Sequence, residues 1–178
     1  SPATSHAPPA ILDNLPHYVD RFWGRQAAKL HLLQRLVDKH TRLITLVGTG
    51  GVGKTRLAVE VAQALKASFG NGVWFVSLAA FMGDSEELAE QIRIAIGEQI
   101  KVALGLGQDD KQLTGDQVFS LLRDKQLLLI LDNCEGVLDA LGFLPTWLKR
   151  APQVVMLATS RTPLNFAIEA VVTISGLA

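Results

Sequence analysis

The sequence predicts an α/β fold, a doubly wound five-stranded parallel sheet sandwiched by helices. Three observations lead there. Five short apolar runs, at residues 43–47, 73–78, 127–131, 154–158 and 170–174, are bounded by turn-forming or polar residues, as strands are. The segments between them carry apolar residues at helical spacing, and strands alternating with helices imply parallel pairing. The runs are nearly all apolar rather than alternating, which suits strands buried on both faces. At 178 residues and 48% hydrophobic content, one domain with a sizeable core is expected.

Residues 1–15 read as a linker, because 1–16 hold four of the seven prolines, interleaved with alanine and serine. Residues 16–178 form the domain. Residues 25–38 make an amphipathic helix with Leu30, Leu33, Leu36 and Val37 on one side. The first strand follows, then a glycine-rich loop and a helix over 54–68 carrying Leu57, Ala58, Val61, Ala62 and Leu65. The turn Gly70-Asn71-Gly72 stops that helix and opens the second strand. Asp84-Ser85-Glu86-Glu87 is the acidic start of a helix over 88–102. A loop over 105–111 and a short helix over 114–122 precede the third strand. A helix is expected within 137–149, broken near Pro145, before the last two strands.

Between the first strand and its helix lies Gly48-Thr49-Gly50-Gly51-Val52-Gly53-Lys54-Thr55, a complete G-x-x-x-x-G-K-T P-loop in strand–loop–helix context. The glycines let successive backbone N–H groups wrap a triphosphate, and the helix adds its positive end. Lys54 reaches the β and γ phosphates, and the Thr55 hydroxyl ligates Mg²⁺. The residues expected to hold the nucleotide are therefore Gly48, Gly50, Gly51, Val52, Gly53, Lys54, Thr55 and Arg56, on a P-loop NTPase fold.

Leu127-Leu128-Leu129-Ile130-Leu131-Asp132 has the form of a Walker B strand, whose terminal acid holds a Mg²⁺-bound water. Alone, it is equally a polar residue ending a strand; downstream of a P-loop it reads as the second metal residue. Many P-loop ATPases place an acid next to orient and deprotonate the attacking water. Here Asn133 stands there, an amide that holds a water but accepts no proton. Glu135 is the nearest substitute, or else a surface acid at a helix start. Thr159-Ser160-Arg161 closes the fourth strand. If that strand lies between the first and third, Arg161 faces the γ-phosphate and distinguishes ATP from ADP. Otherwise it is a sheet-edge arginine paired with a surface acid. The expected catalytic set is Lys54, Asp132, Asn133 and Arg161. Phe22-Trp23-Gly24-Arg25 suits an adenine wall, with Phe22, Gly24 and Arg25 the contacts, although Phe22 and Trp23 also suit a cap on the core.

Balanced charge, 17 basic against 17 acidic residues, shows no footprint for nucleic acid or an anionic membrane. No apolar run approaches spanning length, no signal-peptide pattern opens the chain, and one cysteine, Cys134, leaves no internal disulfide. The expected compartment is cytoplasmic.

In these segments the chain resembles the STAND class of P-loop ATPases, near the NB-ARC group and the ATPase modules of large bacterial transcriptional regulators. The matching residues are Leu15-Pro16, Phe22 to Arg25, GTGGVGKTRLA from Gly48, Gly72 to Val76, LLLILDNCE from Leu127 and ATSRTPL from Ala158. The resemblance implies an ATP/ADP switch with Mg²⁺, Arg161 as nucleotide sensor, Gly24-Arg25 on the adenine side, and the fourth strand between first and third. Gln26 stands where an acid is usual, and Trp23 where a smaller apolar residue is. It also implies helical and winged-helix domains beyond the fifth strand, so the expected partners are other domains of a longer chain and an ATP-dependent homo-oligomer. A phosphotransferase or fast ATPase motor is the competing expectation. Asn133, and the lack of an arginine-rich insertion between the third and fourth strands, speak against it.

Overall fold

The computed structural model describes residues 13–20, 24–38, 40–50, 53–106 and 113–175. Five parallel strands, β1 (Leu43–Val47), β2 (Val73–Ser77), β3 (Leu127–Asp132), β4 (Val154–Ser160) and β5 (Glu169–Thr173), form one sheet in the order β2-β3-β4-β1-β5. The fourth strand therefore lies between first and third. Every residue of β3 and β4 is buried, whereas edge strand β5 alternates between half-buried and exposed positions.

Helices cover both faces. On one side pack α1 (Gln26–Val37) and α2 (Lys54–Leu65), over a core that includes Leu32, Leu36, Leu57, Val61, Ile44 and Leu157. On the other lie α3 (Glu86–Ala103), α4 (Gly115–Ser120) and α5 (Leu144–Arg150). In α3 the residues Leu88, Ile92, Ile96 and Ile100 recur every fourth position, so one face is buried along the whole helix. Ser85 caps it by accepting a hydrogen bond from the Leu88 N–H at 3.1 Å, and Glu86 and Glu87 occupy its positive end. Thr114 and Gln117 form a reciprocal capping box on α4. That short helix is pressed onto α3 through Gly115, where an added Cβ would lie 2.7 Å from the Arg93 carbonyl oxygen. Trp147 of α5 stacks on Phe119 of α4 at 4.3 Å between ring centroids.

Two expectations change. Pro145 does not break a helix: it sits in the first turn of α5, where its missing N–H has no partner to lose, and 3-10 turns fill 134–141. Residues 13–15, assigned to the linker, pack on the domain. Asp13 bridges to Val73, Leu15 is buried, and the Asn14 side chain accepts from Phe75 N at 2.6 Å and donates to Phe75 O at 2.9 Å. This segment covers the free edge of β2, which would otherwise expose unpaired backbone.

Arg42, just before β1, fastens the opposite end of the sheet from the glycine-rich loop. Its Nε donates to Val154 O at 2.7 Å and its Nη2 to Leu148 O at 2.9 Å and to Ala151 O. Burial draws its guanidinium pKa below the ordinary arginine value. No helix among the described residues is long and apolar enough to cross a membrane.

Candidate functional site

The site forms where β1, β3 and β4 end together. Beyond Val47 the chain turns into the P-loop, and Gly48 N donates to Ser160 O at 3.2 Å, tying the loop to the end of β4. Gly53 closes it at φ +83°, a left-handed conformation in which glycine carries no steric cost. The first helical bond of α2 runs from Leu57 N to Gly53 O at 2.9 Å. The N–H groups of Lys54, Thr55 and Arg56 precede that bond and belong to the positive end of the helix.

Lys54 is only 8% exposed. Its Nζ donates to Gly48 O at 2.7 Å and Thr49 O at 2.9 Å, folding the ammonium into the ring of its own loop. Among the described residues no carboxylate pairs with it. Two neutral carbonyls solvate the charge without neutralising it, so the loop retains a cation suited to an anionic ligand.

Asp132 is also buried. Its Oδ1 accepts from the Thr55 hydroxyl at 2.7 Å and from the Thr159 hydroxyl at 2.6 Å. The Thr159 oxygen in turn accepts from Asn133 N at 2.9 Å. This network pins the strand-end acid against the P-loop threonine, and turns Asn133 into a left-handed conformation at φ 61°. A 3-10 turn over Cys134–Gly136 follows, with Cys134 inward and Glu135 toward the cleft. Burial, chiefly, together with the neighbouring carboxylates, pushes the Cys134 thiol far up from its ordinary pKa.

Above these groups opens a cleft of about 390 Å³. It brings together Gly50, Gly53, Lys54, Thr55, Arg56, Asn133 and Arg161 of the expected site, with Glu135 and Tyr18 added. Arg161 is 65% exposed, and its Nε lies 3.7 Å from Glu135 Oε1. Its guanidinium passes over Gly50, where an added Cβ would lie 2.9 Å from Nη2. Arg56 is engaged elsewhere: it pairs with Asp20 at 3.1 Å and Glu60 at 3.3 Å, and lies 4.2 Å from the Tyr18 ring centroid. Partial burial and the Asp132 charge hold the Tyr18 phenol above its ordinary pKa.

Gly24 and Arg25 are not among the residues lining the cleft. Both are left-handed, at φ 77° and 58°, and open α1. The buried Arg25 Nη2 has no hydrogen-bond partner among the described residues. Phe22, Gly51 and Val52 lie outside the described residues.

Sequence reasoning missed Tyr18 and Thr159. A single tyrosine in a non-periodic segment carries no signal. Thr159 does carry one: register places Leu131 opposite Ala158, so the residue after each, Asp132 and Thr159, must be neighbours.

The donor set fits a magnesium-bound triphosphate. A hydroxyl and one carboxylate lie 2.7 Å apart, beside a helix start and an unneutralised lysine.

Residues 35–166 match the family described as AAA domain. A protein named as an HTH-type transcriptional regulator, from Mycobacterium tuberculosis, is 39% identical over 134 residues, covering 75% of this chain and 14% of its own length. The regulatory protein AfsR of Streptomyces griseus is 31% identical over 154 residues, covering 83% of this chain and 15% of its own length. This chain thus spans about one-seventh of such relatives. Among solved structures, a STAND protein with a tetratricopeptide repeat sensor from Pyrococcus horikoshii superposes with a TM-score of 0.54 at 18% identity, covering 92% of this chain and 24% of that one. The match to the family and the sheet order agree: the chain belongs to the AAA domain family of P-loop ATPases, the class to which its STAND-like motifs point.

Proposed function

We propose that this domain is the ATP/ADP-binding switch of a STAND-type signalling or transcriptional regulator, and that it hydrolyses ATP slowly. The observation that carries the reading is Arg161, lying across the P-loop glycine Gly50 at the mouth of the cleft. A switch needs a group that contacts one nucleotide state and not the other, and an arginine there is placed to bind a terminal phosphate. Lys54 would leave its two loop carbonyls for the β and γ phosphates. Thr55 would ligate Mg²⁺ directly and Asp132 through a water, and the bound ion would neutralise phosphate charge. Tyr18, stacked with Arg56, offers an aromatic wall on the remaining side, where a base is accommodated.

Slow turnover follows from the acid side of the cleft. Asn133 offers an amide where proton acceptance is needed, and Glu135 is engaged with Arg161. The regulator setting is supported by relatives named as regulators, of which this chain matches one-seventh. Further domains of the same polypeptide and an ATP-dependent homo-oligomer are the partners we infer, in the cytoplasm, with no direct nucleic-acid contact from this domain.

Steady-state phosphate release and calorimetry with Mg-ATP and Mg-ADP test the reading together. Turnover is expected below about 10 s⁻¹, the median of enzymes. Arg161→Ala is expected to weaken ATP about tenfold or more beyond ADP, since a charge-assisted bond contributes roughly 1.5–3 kcal/mol. Fast turnover, or equal losses for both nucleotides, overturns it in favour of a motor or phosphotransferase.

A further inference from the structure

Glu135 enters the switch so far only as an acid that Arg161 engages and so withholds from hydrolysis. A carboxylate facing a triphosphate site is a like charge, and its Oε2 is buried with no hydrogen-bond partner among the described residues. Its Oε1 lies 3.7 Å from Arg161 Nε, inside ion-pair range and too long for a hydrogen bond.

The two partners are held very differently. The Glu135 backbone is fixed on both sides. Upstream, Asn133 N is bound to Thr159 Oγ1 and Cys134 is fully buried. Downstream, Val137 N closes the turn onto Cys134 O at 3.0 Å, and Gly136 O accepts from Gly83 N at 3.1 Å. Arg161 is long, two-thirds exposed, and its guanidinium makes no hydrogen bond among the described residues. One half of the pair is anchored and the other is free to swing.

We propose that Glu135 and Arg161 form a latch that sets the preference between ATP and ADP. Glu135 is the fixed catch that holds Arg161 when no terminal phosphate is present. A terminal phosphate competes with Glu135 for the same guanidinium, whereas a diphosphate leaves the pair closed. Glu135 is thus a specificity-determining residue, and part of the nucleotide's discrimination lies in the strength of an ion pair that ATP must break. The inference rests on the switch reading and adds to it a role for Glu135 in nucleotide preference, beyond its part in slow turnover.

Glu135→Gln preserves shape and removes the charge, and the oxygen it alters has no partner to lose. Dissociation constants for Mg-ATP and Mg-ADP are measured by calorimetry for the wild type, Glu135→Gln, Arg161→Ala and the double variant. An exposed ion pair corresponds to about a two- to fivefold change, so Glu135→Gln is expected to tighten ATP by that factor with ADP unchanged. In the Arg161→Ala background the gain is expected to vanish, because nothing is left to release. An equal gain in both backgrounds means that Glu135 acts by repulsion alone and overturns the latch, leaving the switch standing. No gain in either background also overturns it. A wild-type domain that binds neither nucleotide removes the switch reading itself, and the latch with it.

Discussion

Replacing Thr159 by valine keeps the volume and the β-branch, so the packing of β4 is preserved and only the hydroxyl is lost. That hydroxyl is wholly buried, donates to Asp132 Oδ1 at 2.6 Å and accepts from Asn133 N at 2.9 Å. Losing the donor removes a hydrogen bond to a charged group, worth about 1.5–3 kcal/mol, and losing the acceptor strands an N–H at a cost of about 1–3 kcal/mol. The two share one oxygen and are not additive, and Thr55 still donates to Asp132, so a total of about 2–4 kcal/mol is expected. For a domain of this size that lowers Tm by roughly 5–15 °C. Urea unfolding followed by circular dichroism should show a lower midpoint with an unchanged slope, since the surface exposed on unfolding is the same. Thr159→Ser, which retains the hydroxyl, should recover most of the loss. A valine variant within about 0.5 kcal/mol of the wild type, the usual range of neutral surface changes, would refute the network as a source of stability.

Other perturbations probe different links. Lys54→Ala should reduce Mg-ATP affinity by about tenfold or more, because its charge-assisted bonds are lost; undiminished calorimetric affinity would show that the loop does not bind phosphate through this lysine. Gly115→Ala should destabilise by about 1–3 kcal/mol, since its Cβ meets the rigid backbone of α3 rather than a side chain that can yield; a thermal melt unchanged from the wild type would contradict that packing. Cys134 should resist thiol reagents at pH 8 until the protein unfolds, because burial raises its folded pKa and thiolate is the reactive form. A rate matching that of a free thiol in native buffer would show the turn around Cys134 to be open.

The strands were legible because a parallel sheet buried on both faces demands continuous apolar runs, and 127–131 and 154–158 are such runs. Their polar ends were legible too, at Asp132 and at Thr159-Ser160, but the hydroxyl bonds across the register that satisfy them were not, a condition local patterning does not contain. Pro145 misled because proline interrupts a helix interior but favours a first turn, and only the tertiary position of α5 decides between them. The burial of Lys54 was hidden for a similar reason: its solvating carbonyls belong to a loop whose closure must be known first. Arg56 lines the cleft as its place after the threonine suggests, but its side chain is engaged by Asp20 and Tyr18, well upstream in sequence.

Arg42 has a mechanical consequence. At their N-terminal ends β1 and β4 are joined by its guanidinium on the carbonyls of Val154 and the preceding turn, and by Met156 N on Arg42 O at 2.9 Å. At the other end Gly48 N reaches Ser160 O. A pair of strands riveted at both ends cannot slide, and a one-residue slip would invert every buried side chain between the rivets. In the proposed switch, work done by nucleotide binding would therefore have no outlet through the sheet. It would be delivered at the rim, by side chains such as Arg161 and the loops that bear them, with the central strands as the stationary frame.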